Sequence, residues 1–463
     1  MPDSEVLQRA ASHALDYLQS LDRRPVGTTA DPATLRDRLG GPLPETGLPA
    51  VEVIDDLVRD VEGGLLHSTG GRFFGWVIGG AHPAALAADW LTAAWDQNAA
   101  AFACSPAEAV VEEVCGAWLK ALLGLPADAS FGFVTGCQMA HVTALAAARN
   151  RLLQDRGWDV ERRGLAGAPP LRVLTSALRH ESLLRALRLL GFGSDALEII
   201  PSGEDGRIEL DELEAALKAE PERPAIVVLQ AGDLNRGVFD PFGPACALAG
   251  ATGAWVHVDG AFGLWAATTP RFRDLLDGVE QADSWATDGH KWLNLPFDSG
   301  FVFIADPEAH RAAFAQAASY SQPVEGTRQQ KDWNPEWSRR GRGFPAYAAV
   351  RALGRKGIAG IVERCCDHAA RLVAEIGALP GVEILARPVI NQGLLRFLDR
   401  GGNHDRHTDA VIARLQAEGT AWFGGTTWDG VRAMRVSVCN WRTTDEDVSR
   451  TIDAVKRVLS AWP

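Results

Sequence analysis

The stretch Ser284-Trp285-Ala286-Thr287-Asp288-Gly289-His290-Lys291-Trp292 places a lysine within an apolar, aromatic frame. Most of the positive charge of this chain is carried by arginine, whose guanidinium does not deprotonate in proteins. A desolvated lysine amine loses its proton more readily and can form a Schiff base with a carbonyl compound. The alternative is a lysine with a buried stem and an amine that reaches solvent. Lys291 alone favours this alternative, and only residues further upstream argue against it.

Length and composition predict a large soluble protein with more than one domain. The chain has 463 residues, of which 46% are hydrophobic, enough for a sizeable core. A net charge of −13 and a pI near 5.4 argue against nucleic acid or an anionic membrane as the main partner. The apolar segment Ala84–Cys104 is interrupted by Asp89 and Asp96, so we expect no membrane span.

The cysteines predict a cytoplasmic location. There are seven, an odd number without C-x-x-C spacing, which is typical of a reduced protein. The first residues also lack the apolar core of a secretory signal.

The order of the predicted elements indicates an α/β fold in three parts. Residues 1–75 show helical spacing without strands, and we expect them to pack on another domain or a second copy. Residues 76–345 form the predicted large domain, in which short apolar runs alternate with helices as in a mostly parallel sheet covered on both faces. Residues 346–463 form a smaller α+β domain.

Three predicted strands are followed by residues that suit a bound ligand, because ligands of open α/β sheets bind where strands end. Thr135-Gly136-Cys137-Gln138 opens a helix whose backbone N–H groups suit a phosphate, although such turns often contain glycine for steric reasons. His180 begins another helix, where a histidine is more often structural. Asp259 ends an apolar strand and needs a partner there, for which a protonated heterocyclic nitrogen is suitable.

These residues together resemble the pyridoxal-phosphate-dependent decarboxylases of the aromatic-amino-acid and glutamate decarboxylase group. The resemblance extends from about Phe73 to Arg442. It is carried mainly by His180, His257-Val258-Asp259-Gly260-Ala261 and Asp288-Gly289-His290-Lys291-Trp292. It implies an aspartate-aminotransferase-like fold, a homodimer with shared active sites, and pyridoxal 5'-phosphate as the cofactor.

The resemblance also implies a role for each site residue. Lys291 would hold the cofactor as an internal aldimine, and Asp259 would keep the pyridinium nitrogen protonated. His180 would stack on one face of the ring, and Ala261 would leave room at the other. The remaining predicted cofactor contacts are Gly136, Cys137, Gln138, Asn235 and His290. The predicted substrate pocket contains Trp76, His82, Asn98 and Gln330.

The chain departs from the family pattern in the loop Val324–Trp337, which lacks the tyrosine that protonates the substrate carbon in relatives. Gln330 or Lys331 stands near its position, and Tyr320 lies just outside the loop. We therefore expect amino-acid decarboxylation. An aminotransferase or aldehyde-forming reaction is the alternative, and a cofactor-binding protein without turnover is a third hypothesis.

The roles of two arginines and of one histidine pair are less specific. Arg435 and Arg442 flank a predicted strand where related folds bind a carboxylate, but a surface ion pair is equally compatible with each. His404-Asp405-Arg406-His407 reads as a solvated loop, and we expect no metal site.

Overall fold

The computed structural model describes residues 2–316 and 324–461.

The N-terminal part of the molecule consists of helices with apolar residues exposed to solvent. The first three helices are α1 (Pro2–Ser20), α2 (Pro32–Leu39) and α3 (Ala50–Asp60). α1 contacts α3, and His13 Nε2 lies 2.6 Å from a carboxylate oxygen of Asp55. Neither α2 nor α3 has a buried residue, so these helices leave apolar surface uncovered in the single chain.

A mostly parallel seven-stranded sheet forms the centre of the molecule, as the alternation of strands and helices predicts. Its strands are β1 (Ser130–Val134), β2 (Arg172–Ser176), β3 (Leu197–Ile200), β4 (Ala225–Gln230), β5 (Trp255–Asp259), β6 (Ser284–Asp288) and β7 (Gly300–Ile304). Their order in the sheet is β1-β7-β6-β5-β4-β2-β3. Only β7 runs antiparallel to its neighbours.

Both faces of this sheet are buried, which explains its continuous apolar strands. In β4, Val227 and Leu229 belong to one apolar cluster, while Ile226 and Val228 belong to another. Side chains of successive strand residues point to opposite faces, so each cluster lies on its own side of the sheet. The helices before and between the strands are α4 (Pro83–Trp95), α5 (Pro106–Leu123), α6 (Cys137–Gln154), α7 (Val160–Arg163), α8 (Glu181–Leu189), α9 (Leu210–Ala219), α10 (Phe242–Thr252) and α11 (Pro307–Phe314).

The C-terminal part contains an antiparallel sheet of order β10-β11-β9-β8. It begins with the long helix α12 (Gly343–Gly377), interrupted at Gly354, whose φ of 59° favours glycine. The elements after it are β8 (Val382–Ala386), β9 (Gln392–Phe397), α13 (His404–Glu418), β10 (Gly424–Trp428), β11 (Val431–Ser437) and α14 (Asp445–Ser460). β10 and the central strand β6 are absent from the strands predicted by sequence.

The adjacent strands β4, β5 and β6 end at the same edge of the sheet. Gln230, the last residue of β4, is the register partner of Asp259, and Asp288 ends β6 on the other side of β5. Three polar side chains therefore meet where the apolar strands stop. No helix among the described residues is long and apolar enough to cross a membrane.

Candidate active site

A cavity of about 500 Å³ opens at this edge of the sheet. Nine of the residues that the sequence selects line it: Trp76, Gly136, Cys137, Gln138, His180, Asp259, Ala261, His290 and Lys291. They come from four separate strand ends and one N-terminal loop, so only the folded chain brings them together.

Lys291 lies in the turn after β6 and is paired with the last residue of that strand. Its Nζ is 2.9 Å from Oδ2 of Asp288. Burial by itself lowers the pKa of Lys291, but the nearby carboxylate of Asp288 outweighs burial, and the pKa is raised above its ordinary value. The expectation that desolvation makes this amine easier to deprotonate is therefore wrong, because the carboxylate of Asp288 stabilises its charged form.

Glycines and an asparagine hold the lysine turn in place. A Cβ on Gly79 would lie 2.0 Å from the carbonyl oxygen of Lys291, so only glycine lets the N-terminal loop approach this closely. Asn294, at a φ of 55°, accepts hydrogen bonds from the N–H groups of Gly80 at 2.7 Å and Trp441 at 3.0 Å. The N-terminal loop and the segment after β11 thus converge on the turn that carries the lysine.

The turn between β1 and α6 presents a free side-chain donor to the cavity. Gln138 lines the cavity, and its buried Nε2 has no hydrogen-bond partner within the described part of the chain. The Cys137 N–H is already used, since it donates to Oδ1 of Asp288 at 2.6 Å. A Cβ on Gly136 would lie 2.9 Å from Cε1 of His290, so glycine keeps this corner open. A helix N-terminus with a free amide donor suits an anionic group such as a phosphate.

His290 presents its ring between Asp288 and an aromatic side chain. Its Nδ1 accepts the Ser299 N–H at 3.2 Å, which leaves the proton on Nε2, 3.5 Å from Oδ1 of Asp288. The ring stacks on Phe297 with centroids 4.3 Å apart. Burial lowers the pKa of His290, which favours the neutral imidazole near neutral pH.

Asp259 lies at the bottom of the cavity with donors on both carboxylate oxygens. Oδ1 accepts the Ala261 N–H at 3.2 Å and the Cys137 thiol at 3.8 Å, and Oδ2 is 3.4 Å from Nε2 of His141. Burial opposes ionisation, but His141 and then the charges of His180 and Lys291 more than offset it. The pKa of Asp259 lies well below its ordinary value.

His180 caps α8 and faces the cavity. Its Nδ1 accepts the Ser182 N–H at 3.2 Å and lies 2.8 Å from the Ser182 hydroxyl. Its ring remains accessible for stacking.

Three predicted site residues lie outside the lining of this cavity. Asn235 accepts a hydrogen bond from the hydroxyl of Thr426. His82 caps α4 and contacts the ring of Trp441. Asn98 accepts the N–H groups of Ala100 and Arg339. Each of the three contacts other residues of the folded chain, and the sequence pattern does not reveal these contacts.

Gln330 also lies outside the cavity of its own chain. It is 1% exposed, and both polar atoms of its amide lack hydrogen-bond partners among the residues that the structure describes. The next residue, Lys331, donates its N–H to the carbonyl of Ala100, so this loop packs on the segment that contains Asn98. Tyr320, the other candidate near the loop, lies outside the described residues.

Two further residues complete the site. Asp288 stands in the quoted stretch, but its contacts with Lys291 and Cys137 depend on the fold. Arg435, on β11, lines the cavity, is 6% exposed and makes no hydrogen bond or ion pair with the described part of the chain. Burial lowers its pKa to about 10 despite the charge of Asp233. Of its two sequence interpretations, the surface ion pair is wrong.

A possible metal cluster overlaps the same cavity floor. Donor atoms of Cys137, His141 and Asp259 lie within 4.8 Å of one another. The hydrogen bonds to Asp259 described above account for this grouping, so the cluster does not require an ion. That no metal binds here stays a prediction.

Comparison with known proteins identifies a family. A family model described as the pyridoxal-dependent decarboxylase conserved domain matches residues 32–397. The aromatic-L-amino-acid decarboxylase of Bacillus atrophaeus is 28% identical over 466 residues, which cover 97% of this chain and 93% of that protein. The L-2,4-diaminobutyrate decarboxylase of Rhizobium meliloti (strain 1021) is 29% identical over 437 residues, with coverages of 89% and 83%.

Solved structures agree on the fold. The structure of Oryza sativa TDC with PLP and tryptamine has a TM-score of 0.92 at 23% identity and covers 99% of this chain and 97% of its own. The structure of mouse CSAD has a TM-score of 0.91 at 22% identity, with 98% of both chains covered. These similarities confirm the predicted fold class.

Proposed function

Because the chain belongs to the pyridoxal-dependent decarboxylase family, we propose that Lys291, Asp259 and His180 are its catalytic residues. The enzyme is a carboxy-lyase that decarboxylates an amino acid with pyridoxal 5'-phosphate as its cofactor. One observation carries the residue assignment. Lys291 and Asp259, 32 positions apart in sequence, line the same cavity at the edge of the sheet.

The donor set of the cavity fits a phosphorylated pyridine aldehyde. Lys291 offers the amine for covalent attachment, and Asp259 offers an ionised carboxylate for a ring nitrogen. The unpartnered amide of Gln138, at the N-terminus of α6, is placed for the phosphate. When bound, the cofactor supplies an electron sink for the electron pair left by the departing carboxylate.

The protein's own contribution is charge and orientation. Asp259 would hold a proton at the ring nitrogen, because contacts with Ala261, Cys137 and His141 keep its carboxylate ionised. His180 and Ala261, which both line the cavity, would hold the cofactor ring between them, and the buried floor would keep water away from Asp259. Asp288 keeps Lys291 near the cofactor position through the 2.9 Å contact.

Arg435 is our candidate for binding a carboxylate of the substrate. A buried guanidinium without a partner among the described residues is costly, so its position in the cavity wall requires an anion during function. Trp76 and Phe297, 50% and 63% exposed, line the same cavity and offer apolar area to the substrate.

We further propose a homodimer with shared active sites. Apolar side chains are exposed on α1 and α3 (Leu7, Leu15, Val53 and Leu57) and on α4 (Trp90, Leu91 and Trp95). Such patches usually mark interfaces. In the dimer, the loop with Gln330 and the neighbouring segment with Asn98 would approach the cavity of the partner subunit. This would explain why Gln330 and Asn98 do not line the cavity of their own chain.

We propose that residues 1–75, 76–345 and 346–463 are separate domains, since the two sheets fall in the second and third of them. We propose a cytoplasmic location, which is supported by seven free cysteines.

A substrate panel tests the proposed function. The holoenzyme is incubated with aromatic, acidic and basic amino acids, while carbon dioxide, ammonia and peroxide are measured together. Carbon dioxide with the matching amine, abolished by Lys291→Ala, is the expected result. Ammonia or peroxide in equal yield with aldehyde would favour the aldehyde-forming alternative, and turnover by Lys291→Ala would contradict the role of Lys291.

A further inference from the structure

A chain of four contacts runs from the core of the sheet to the carboxylate of Asp259. Nε1 of Trp255 donates to the hydroxyl of Ser284 at 2.9 Å, and this hydroxyl lies 2.9 Å from Nδ1 of His257. Nε2 of His257 lies 2.9 Å from Nδ1 of His141, whose Nε2 is 3.4 Å from Oδ2 of Asp259. Both histidines are fully buried.

The fold places these groups in line. His257 and Asp259 are two residues apart in β5, so they point to the same face of the sheet. Ser284 is the register partner of His257 on β6. His141 lies one helical turn after Cys137 in α6, which packs on this face.

The chemistry of the two ends gives the chain one direction. The indole N–H of Trp255 can only donate, so it occupies one lone pair of the Ser284 hydroxyl and leaves the proton of that hydroxyl free to be donated to Nδ1 of His257. His257 then carries its proton on Nε2 and donates to Nδ1 of His141. His141 consequently carries its proton on Nε2, which faces the ionised carboxylate of Asp259, a group that can only accept. Every donor in this arrangement has an acceptor, and both imidazoles are neutral.

The neighbouring groups agree with this direction. Burial is the main cause that lowers the pKa of His257, to about 3, so this ring is neutral near neutral pH. The thiol of Cys137 lies 3.6 Å from Nε2 of His141, and burial raises its pKa, so it keeps its proton and donates to the other oxygen of Asp259.

We propose that His141 is a positioning residue for the cofactor. It is held in the Nε2-protonated form by His257 and Ser284, and it fixes the rotamer and the negative charge of Asp259 toward the cofactor ring nitrogen. This inference rests on the proposed function in one respect only, the pairing of Asp259 with that nitrogen.

The direct test is the tautomer of each histidine. Protein labelled with ¹⁵N-histidine is measured by NMR, with and without the cofactor, and His141→Leu and His257→Leu assign the signals. His141 and His257 should both show a protonated Nε2 and an unprotonated Nδ1 in wild type. Protonation of His141 on Nδ1, or on both nitrogens, would overturn the proposal.

A pair of variants at a distance from the cofactor tests the function of the chain. Ser284→Ala removes the donor to His257, whereas Ser284→Thr keeps the hydroxyl. We expect Ser284→Ala to populate the other tautomer of His257 and to weaken pyridoxal phosphate binding to the apoprotein severalfold. Ser284→Thr should restore both. If Ser284→Ala binds pyridoxal phosphate as tightly as wild type and its histidine tautomers are unchanged, the proposed role of the contact chain is refuted, even if His141→Leu fails to fold.

The two proposals fail in different ways. A cofactor attached to another lysine would remove the proposed function, whatever the histidine tautomers are. If the cofactor is attached at Lys291 but His141 has the other tautomer, or Ser284→Ala has unchanged affinity for pyridoxal phosphate, only the positioning role of His141 is refuted.

Discussion

Replacing Arg435 by methionine should damage catalysis and stabilise the folded chain at the same time. The guanidinium is buried in the cavity wall without a partner in the described chain, and methionine has a similar length without the charge. The fall of its pKa from the ordinary 12.5 to about 10 corresponds to about 3 kcal/mol of destabilisation of the charged form. Since 10 is still well above neutral pH, the charge and its cost persist under working conditions.

The same charge should contribute to binding when a substrate carboxylate reaches it. Losing one partner of a buried, hydrogen-bonded ion pair costs about 2–4 kcal/mol, which corresponds to roughly a 30-fold to 1,000-fold loss in kcat/KM. We therefore expect Arg435→Met to lose activity by this factor, while the apoprotein unfolds at a higher temperature or unchanged.

Carbon dioxide release and a thermal melt of the apoprotein measure the two effects. Arg432→Met is the matched control, since Arg432 lies on the same strand but pairs with Asp409 at the surface. It should change either quantity only slightly. Unchanged kcat/KM in Arg435→Met, or clear destabilisation with normal activity, would show that Arg435 is structural and refute the reasoning.

Three further predictions concern charge, pH and space around the site. Asp259→Asn should lower turnover by on the order of several powers of ten with the fold retained, as measured by carbon dioxide release and circular dichroism; a near-native rate would make Asp259 structural. Burial, and then the charge of Glu112, raise the pKa of Glu108 to about 8, so the folded state binds the extra proton and loses stability as pH rises from about 4.5 to 8. Glu108→Gln should flatten the melting temperature over this window, and an unchanged slope would contradict the shift. Gly136→Ala should weaken cofactor binding in a titration of the apoprotein, because its Cβ would meet His290; native affinity would show that the corner has room.

The sequence predicts the parts of the site that depend on one strand and the loop after it. Asp259 stands at the end of an apolar run, so its position at the ligand-binding edge of the sheet follows from the α/β pattern. Lys291 follows β6, which was not predicted, and only its aromatic frame and the family resemblance select it. The mostly parallel sheet can also be predicted from the sequence, since most of its strands are apolar on both faces. β10 was not predicted because its residues Gly424–Trp428 are half-buried or exposed and carry no apolar run.

The rest depends on contacts between distant parts of the chain. The N–H of Cys137 meets Asp288 across 151 positions, and this contact helps to orient the carboxylate that raises the pKa of Lys291. Asn235 and His82 have chemistry suited to a site, but Asn235 accepts from the hydroxyl of Thr426 and His82 caps α4. Only the packing of the two sheets decides that Arg435 faces inward.

The measurement that tests the central claim most directly is the location of the cofactor. Borohydride reduction of the holoenzyme converts an imine into a stable amine, and peptide mapping by mass spectrometry then identifies the modified lysine. We predict a single pyridoxyl adduct on Lys291, absent from Lys291→Ala. An adduct on any other lysine of the wild-type protein would contradict the account.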